Sequence, residues 1–199
     1  MKPWQLILPY AAWIALMTMA PSTAVWYAVR AAVSASLLAV PIYIGFKGAG
    51  CRDFFGSVFR RSLLPGFGAG LLVFVIWILP EQFDLAWYRE WFILGEGGTQ
   101  AIAESDAGLI AVRLIGSAFI ISVAEELFFR RFLIGFAGFW WMVALFAVEH
   151  DRWLVGAVAG AVYGWLYLRR GLTSACIAHA VTNLVLGLWV LETGQWQFW

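Results

Sequence analysis

The sequence predicts an all-α membrane protein: a polytopic bundle of about seven transmembrane helices around a polar cavity. Hydrophobic residues make up 63% of the 199 residues and charged residues only 13%, a composition far from that of a soluble domain. The apolar residues form blocks close to the roughly 20 helical residues that cross a hydrocarbon core. Because backbone amides in lipid must be paired within their own segment, and since no block alternates like a barrel strand, we expect helices.

The apolar blocks span 4–20, 23–46, 63–80, 107–130, 132–150, 153–168 and 172–191. The first block follows Lys2 and could be mistaken for a signal peptide, but a helix that packs against the other blocks is the preferred interpretation. Gly135 and Gly138 predict a tight turn, with one helix ending near Phe136 and the next beginning near Phe139. Since no repeat or flexible linker divides the sequence, we expect a single integral membrane domain over 1–199.

The charges between the blocks predict an orientation. If the blocks alternate in direction, nine basic residues fall on one side: Lys2, Lys47, Arg52, Arg60, Arg61, Arg130, Arg131, Arg169 and Arg170. By the positive-inside rule the amino terminus is then cytoplasmic, in a membrane that we expect to be the bacterial cytoplasmic membrane. The acidic connection 81–106 would lie outside the cytoplasm, and its WYREWFIL portion resembles a segment in the membrane interface. The net charge of +1 gives no indication of nucleic acid, and no nucleic-acid partner is expected.

Two adjacent carboxylates lie inside the apolar blocks, where a charge costs at least about 2.5–3.5 kcal/mol. On a helix, Glu126 is four residues from Arg130 and about 40° around the axis from it, so these two side chains are expected to form an ion pair. Glu125 is about 140° around the axis from Arg130 and has no local cation. A carboxylate of this kind in a low-dielectric site is a candidate general base for an activated water.

The remaining polar groups lie in two short motifs. His150 follows Phe146 by four residues in FAVEH, and Asn183 follows His179 by four in HAVTN, so each pair shares a helical face. These are the only two histidines of the sequence, and both fall in apolar blocks. All of these polar groups could serve structure alone: Glu126 and Arg130 as a buried ion pair, and the histidines and Asn183 through hydrogen bonds between helices. So many polar groups in one bundle nevertheless exceed what packing requires, and they point to a catalytic site within 107–191.

The three motifs EELFFR (125–130), FAVEH (146–150) and HAVTN (179–183) match EExxxR, FxxxH and HxxxN in order. In this order and membrane setting they resemble the CPBP intramembrane proteases, which include the type II CAAX prenyl endopeptidases and the abortive-infection-like proteins. The resemblance covers roughly 107–191. Two features depart from the family: the stretch 132–148 is almost wholly apolar where a charged loop is common, and the connection 81–106 has no counterpart of known function. The substrate and its side of entry therefore stay open.

The resemblance implies a glutamate-type endopeptidase without cofactor or metal. It would cleave a membrane-embedded or membrane-anchored peptide or protein, possibly lipidated, in the lipid bilayer. Glu125 would be the general base on water, and His150 would help to hold and polarise that water. His179 and Asn183 would donate hydrogen bonds to the oxyanion of the tetrahedral intermediate. Glu126, Arg130 and Phe146 would support them.

Four alternatives remain at this point. A zinc-dependent membrane protease would use the same glutamates and histidines as ligands, although the sequence has no HExxH motif. A cysteine mechanism would use Cys176, three residues before His179, which we interpret instead as a packing residue. The same polar cluster could also belong to a non-enzymatic scaffold or immunity-type protein. A proton-coupled transporter would show an inverted repeat, which the sequence lacks.

Overall fold

The computed structural model describes residues 1–19, 24–49, 58–83, 85–94 and 107–198, and the regular structure in these ranges is entirely helical, as predicted. The helices are α1 (Pro3–Met19), α2 (Ala24–Ala49), α3 (Phe59–Gln82), α4 (Ala86–Phe92), α5 (Ala107–Ala137), α6 (Phe139–Val148), α7 (Trp153–Arg170) and α8 (Leu172–Thr193). A single 3₁₀ turn, Trp196–Phe198, follows α8.

Within the described residues, four segments are long and apolar enough to cross a membrane: Val25–Gly45, Phe59–Gln82, Ala107–Ala137 and Leu172–Thr193. The protein is therefore an integral membrane protein. The other three apolar blocks of the sequence correspond to α1, α6 and α7, which are not among these four. Helix α6 has only 10 residues and is about 15 Å long at 1.5 Å per residue. The number of seven membrane helices stays a prediction.

Helix α5 continues across the gap between the apolar blocks 107–130 and 132–150. It passes through Arg131 and ends at Ala137, close to the helix end expected near Phe136. Arginine is a good helix former, so a charged pair interrupts the hydrophobic pattern without ending the helix. The turn expected near Gly138 is confirmed: its φ of 92° lies in a region that favours glycine, and α6 begins at the next residue.

Helices α3 and α8 pack at very short range through glycine. A Cβ atom at Gly70 would lie 2.5 Å from the carbonyl oxygen of Ala178, so only glycine fits there without a shift of the backbone. The Thr182 hydroxyl of α8 lies 2.9 Å from the Gly70 carbonyl oxygen. This contact holds the middle of α8, which contains the HAVTN motif, against α3.

The connection between α6 and α7 is held by elements far from it in sequence. Arg152 forms a buried ion pair with Glu81 at the end of α3. The segment WYREWFIL contains α4, and it packs here: the amide of Leu94 donates to the Asp151 carbonyl at 2.8 Å, and the indole of Trp153 donates to the Trp91 carbonyl. The rest of the predicted connection, residues 95–106, lies outside the described part of the chain.

Candidate active site

The EExxxR motif forms the ion pair that its spacing predicts. Nε of Arg130 lies 3.1 Å from Oε2 of Glu126, and both side chains are completely buried. The guanidinium carbon of Arg130 also lies 4.3 Å from the ring centroid of Phe146, a cation–π distance that gains strength without competing water. The phenylalanine of the FxxxH motif thus supports the arginine of the EExxxR motif.

His179 lies between the two glutamates. Its Nδ1 is 2.9 Å from Oε1 of Glu126, and its Nε2 is 3.7 Å from Oε2 of Glu125. Because an ionised carboxylate only accepts hydrogen bonds, Nδ1 is the donor to Glu126. The ring of Tyr163 stacks on His179 with centroids 4.9 Å apart, and the Tyr163 hydroxyl lies 2.6 Å from Oγ1 of Thr182. The imidazole is therefore held at one edge and on one face.

Glu125 differs from its neighbour in having no polar partner at close range. Its side chain is buried, and Oε2 makes no hydrogen bond with any part of the chain that the structure describes. Glu125 lies between two segments of α5 that have wider, π-helical turns, Gly116–Ile121 and Glu126–Leu133. Such turns recur at functional sites because they redirect side chains. Glu125 thus presents an uncommitted carboxylate oxygen.

The geometry of His150 follows from the early end of α6. The helix ends at Val148, and the amide of His150 bonds to the Ala147 carbonyl at 3.1 Å. The carbonyl of Phe146 is then available to Nδ1 of His150, at 2.8 Å. A carbonyl can only accept, so Nδ1 carries the proton and Nε2 of the neutral ring is left as an acceptor for a ligand or water. The four-residue spacing of FxxxH provides this arrangement.

Asn183 joins α8 to the first π-helical segment of α5. Its Nδ2 donates to the Ser117 carbonyl at 3.0 Å and to Oγ of Ser122 at 3.2 Å. The Ser122 hydroxyl also donates to the Ser117 carbonyl, at 2.9 Å. The Asn183 amide nitrogen is thereby bonded to two neighbouring acceptors of α5.

The four predicted catalytic residues line one cavity of about 170 Å³. Its lining residues are Trp77, Ser117, Glu125, Phe146, His150, Ala159, Tyr163, His179, Thr182, Asn183, Leu186 and Phe198. Glu126 and Arg130 are not among them. Glu126 contacts His179, and Arg130 lies against the rings of Phe146 and Tyr163, so both residues adjoin the cavity through its lining.

Several lining residues were missed in the sequence. Thr182 follows His179 by three residues on the same helical face, so helical spacing could have found it. Ser117 and Tyr163 contribute a carbonyl and a ring, and neither role leaves a local sequence signal. Trp77 lies in an apolar block, where a tryptophan is read as a packing residue.

Among the residues that the structure describes, no group of three or more His, Cys, Asp or Glu side chains is placed to hold a metal ion. The glutamates and histidines of the cavity do share one site.

A comparison with protein families agrees with these motifs. Residues 107–185 match the family model described as type II CAAX prenyl endopeptidase Rce1-like. Over this region the chain is similar to the CPBP family, as the motifs predict. The match includes α5–α7 and most of α8, and so every polar residue that lines the cavity except for Trp77 with its indole N–H. No curated protein and no solved structure matched the chain.

Proposed function

We propose that this protein is an intramembrane endopeptidase in which Glu125 activates a water molecule to hydrolyse a peptide bond. The family indicates a CAAX-type intramembrane protease. The observation that carries the glutamate mechanism is the uncommitted carboxylate oxygen of Glu125 in a cavity that also contains Nε2 of His150. A general base must be able to reach the proton that it abstracts, and a carboxylate oxygen without a protein partner is available to do so.

In the proposed reaction, a water between Glu125 and His150 loses a proton to the Glu125 carboxylate. The hydroxide oxygen forms a bond to the carbonyl carbon, and the π electrons move to the carbonyl oxygen. When the tetrahedral intermediate collapses, the C–N bond breaks and Glu125 returns the proton to the leaving nitrogen, so that an acid and an amine result. His150 accepts a hydrogen bond from the water through Nε2 and orients it.

The roles of His179 and Asn183 at the oxyanion are carried over from the family motif. Nε2 of His179 points towards Glu125 and can donate when the ring is protonated. Glu126 supports this state, because its negative charge lies 2.9 Å from Nδ1. Arg130 in turn balances Glu126. Glu126 and Arg130 are therefore positioning residues in this proposal.

The substrate in this proposal is a membrane-embedded or membrane-anchored peptide or protein. The lining of the cavity includes the apolar side chains of Leu186 and Phe198 together with the predicted catalytic groups. Such a cavity suits a peptide bond flanked by an apolar side chain. The same proposal includes three further features of the protein. Seven membrane helices surround a hydrated polar cavity, the amino terminus is cytoplasmic, and the membrane is the bacterial cytoplasmic membrane.

The first test compares protein termini in membranes from cells that express the wild type or Glu125→Gln at equal levels. Glutamine has the shape of glutamate and cannot accept the proton, so termini that depend on the wild type should disappear. Glu192→Gln is the matched control, since Glu192 is exposed at the end of α8. Identical termini in all three membranes, with folded protein in each, would support the non-enzymatic scaffold instead.

A further inference from the structure

The indole nitrogen of Trp77 is an unexplained donor beside the candidate active site. Trp77 lines the cavity, and its ring meets that of His150 edge to face with centroids 5.4 Å apart. Its Nε1 is buried and has no hydrogen-bond partner among the described residues. Buried N–H groups are nearly always paired, so a lone donor in a site calls for a ligand or a catalytic role.

The donors that the family motif assigns to the oxyanion are largely engaged elsewhere. Nδ2 of Asn183 is bonded to the Ser117 carbonyl and to the Ser122 hydroxyl. Nδ1 of His179 is bonded to Glu126, so this ring can donate into the cavity only through a protonated Nε2. A further donor that is free in the resting protein would add to the stabilisation that these two residues can give to a tetrahedral intermediate.

We propose that Trp77 is a further catalytic residue, whose indole N–H donates a hydrogen bond to the carbonyl oxygen of the bound substrate. This assignment rests on the proposed peptidase function. An indole nitrogen is a donor only and keeps its proton, so it can stabilise the growing negative charge on oxygen without any proton transfer. A donor fixed on a rigid helix in a dry site costs little reorganisation during the reaction, which is why such donors act strongly on kcat.

Trp189 provides a matched control. Its Nε1 is also buried without a hydrogen-bond partner in the described ranges. Trp189 packs against the cluster of Ile78 and Val190 and does not line the cavity. Each tryptophan thus has an indole nitrogen without a hydrogen-bond partner among the described residues. They differ in that Trp77 lines the cavity and Trp189 does not.

The experiment uses the purified full chain in detergent. The probe is a detergent extract of membranes from cells that carry Glu125→Gln, in which the substrates are intact. Mass spectrometry follows the new protein termini that the wild type produces, and it gives the initial rate at which each one appears. Repeating the measurement at several dilutions of the extract separates kcat from KM. The variants are Trp77→Phe, Trp189→Phe and a chain with benzothienylalanine at position 77, which keeps the shape of the indole but replaces N–H by sulfur.

We expect Trp77→Phe and the benzothienylalanine chain to lower kcat about 100-fold with little change in KM, as for the loss of one oxyanion donor. Trp189→Phe should retain the wild-type rate. A normal kcat in the benzothienylalanine chain would overturn the assignment of Trp77 and leave the peptidase proposal intact. Absence of cleavage by the wild type would overturn the proposed function, and the role of Trp77 with it.

Discussion

The matched region 107–185 and the amino-terminal helices α1–α3 contribute to the cavity in different ways. Every polar residue of the cavity lining other than Trp77 lies within 107–185. The amino-terminal helices contribute packing: Tyr10 of α1 stacks on Phe128, and Gly70 of α3 admits the backbone of α8. The polar groups of the cavity thus come mainly from the matched region, whereas its geometry depends on both regions. Polar changes in 107–185 are therefore expected to act on the proposed reaction, and changes in α3 other than at Trp77 are expected to act through helix placement.

The largest effect is expected from Arg130→Met. This change leaves the completely buried Glu126 without its cation, and such a loss costs about 3–5 kcal/mol. We expect poorly folded and inactive protein, measured as the free energy of unfolding in detergent micelles and as termini produced in cells. Arg131→Met is the control, because Arg131 is adjacent but exposed.

The double variant Glu126→Gln/Arg130→Met separates stability from activity. Removal of both charges leaves no unpaired ion, so most of the stability should return. His179 would still lose its carboxylate partner, and cleavage should stay impaired. Full recovery of cleavage in the double variant would contradict a positioning role for Glu126.

An intermediate effect is expected from Gly70→Leu in the amino-terminal half. A Cβ atom there would lie 2.5 Å from the backbone oxygen of Ala178, so α3 must move away from α8. Overpacking of this kind costs typically about 1–3 kcal/mol, and we expect lower cleavage because Trp77 moves with α3. Gly68→Leu is the control, because its new Cβ would meet nothing within 4 Å. This variant should have the free energy of unfolding and the cleavage rate of the wild type. Equal behaviour of both variants would show that close α3–α8 contact is unimportant.

The features that depend on local periodicity could be predicted from the sequence. The helical class, the turn at Gly138 and the Glu126–Arg130 ion pair follow from apolar runs, glycine and the spacing of four residues, and the structure contains all three. The apolar blocks alone do not show the end of α5, because hydrophobicity stops at the charged Arg130 and Arg131 whereas the helix continues; the glycines predict its end near Phe136, and it ends at Ala137.

The contacts between distant segments could not be predicted from the sequence. Nothing local shows that His179 bonds to Glu126, 53 residues earlier, or that Trp77 lies against His150. Such contacts depend on how helices pack, and a single sequence carries no record of it. The segment WYREWFIL contains helix α4, and its location in the membrane interface stays a prediction from its aromatic and half-polar character. The hydrogen bond from Leu94 to Asp151 could not be predicted from the sequence.

The smallest effect is expected from Cys176→Ser, although Cys176 is only three residues before His179 and lies in the matched region. Its side chain lines a separate apolar pocket with Val123 and Leu127, apart from the residues that line the Glu125 cavity. Serine is close to cysteine in size, and in a helix its hydroxyl can bond to the preceding turn. We expect the rate of cleavage to stay within about twofold of the wild type, since surface and packing changes of this size rarely exceed about 0.5 kcal/mol. A cysteine nucleophile would instead lose its thiolate, so complete loss of cleavage in Cys176→Ser, with Glu125→Gln still active, would reverse the roles assigned to the two residues.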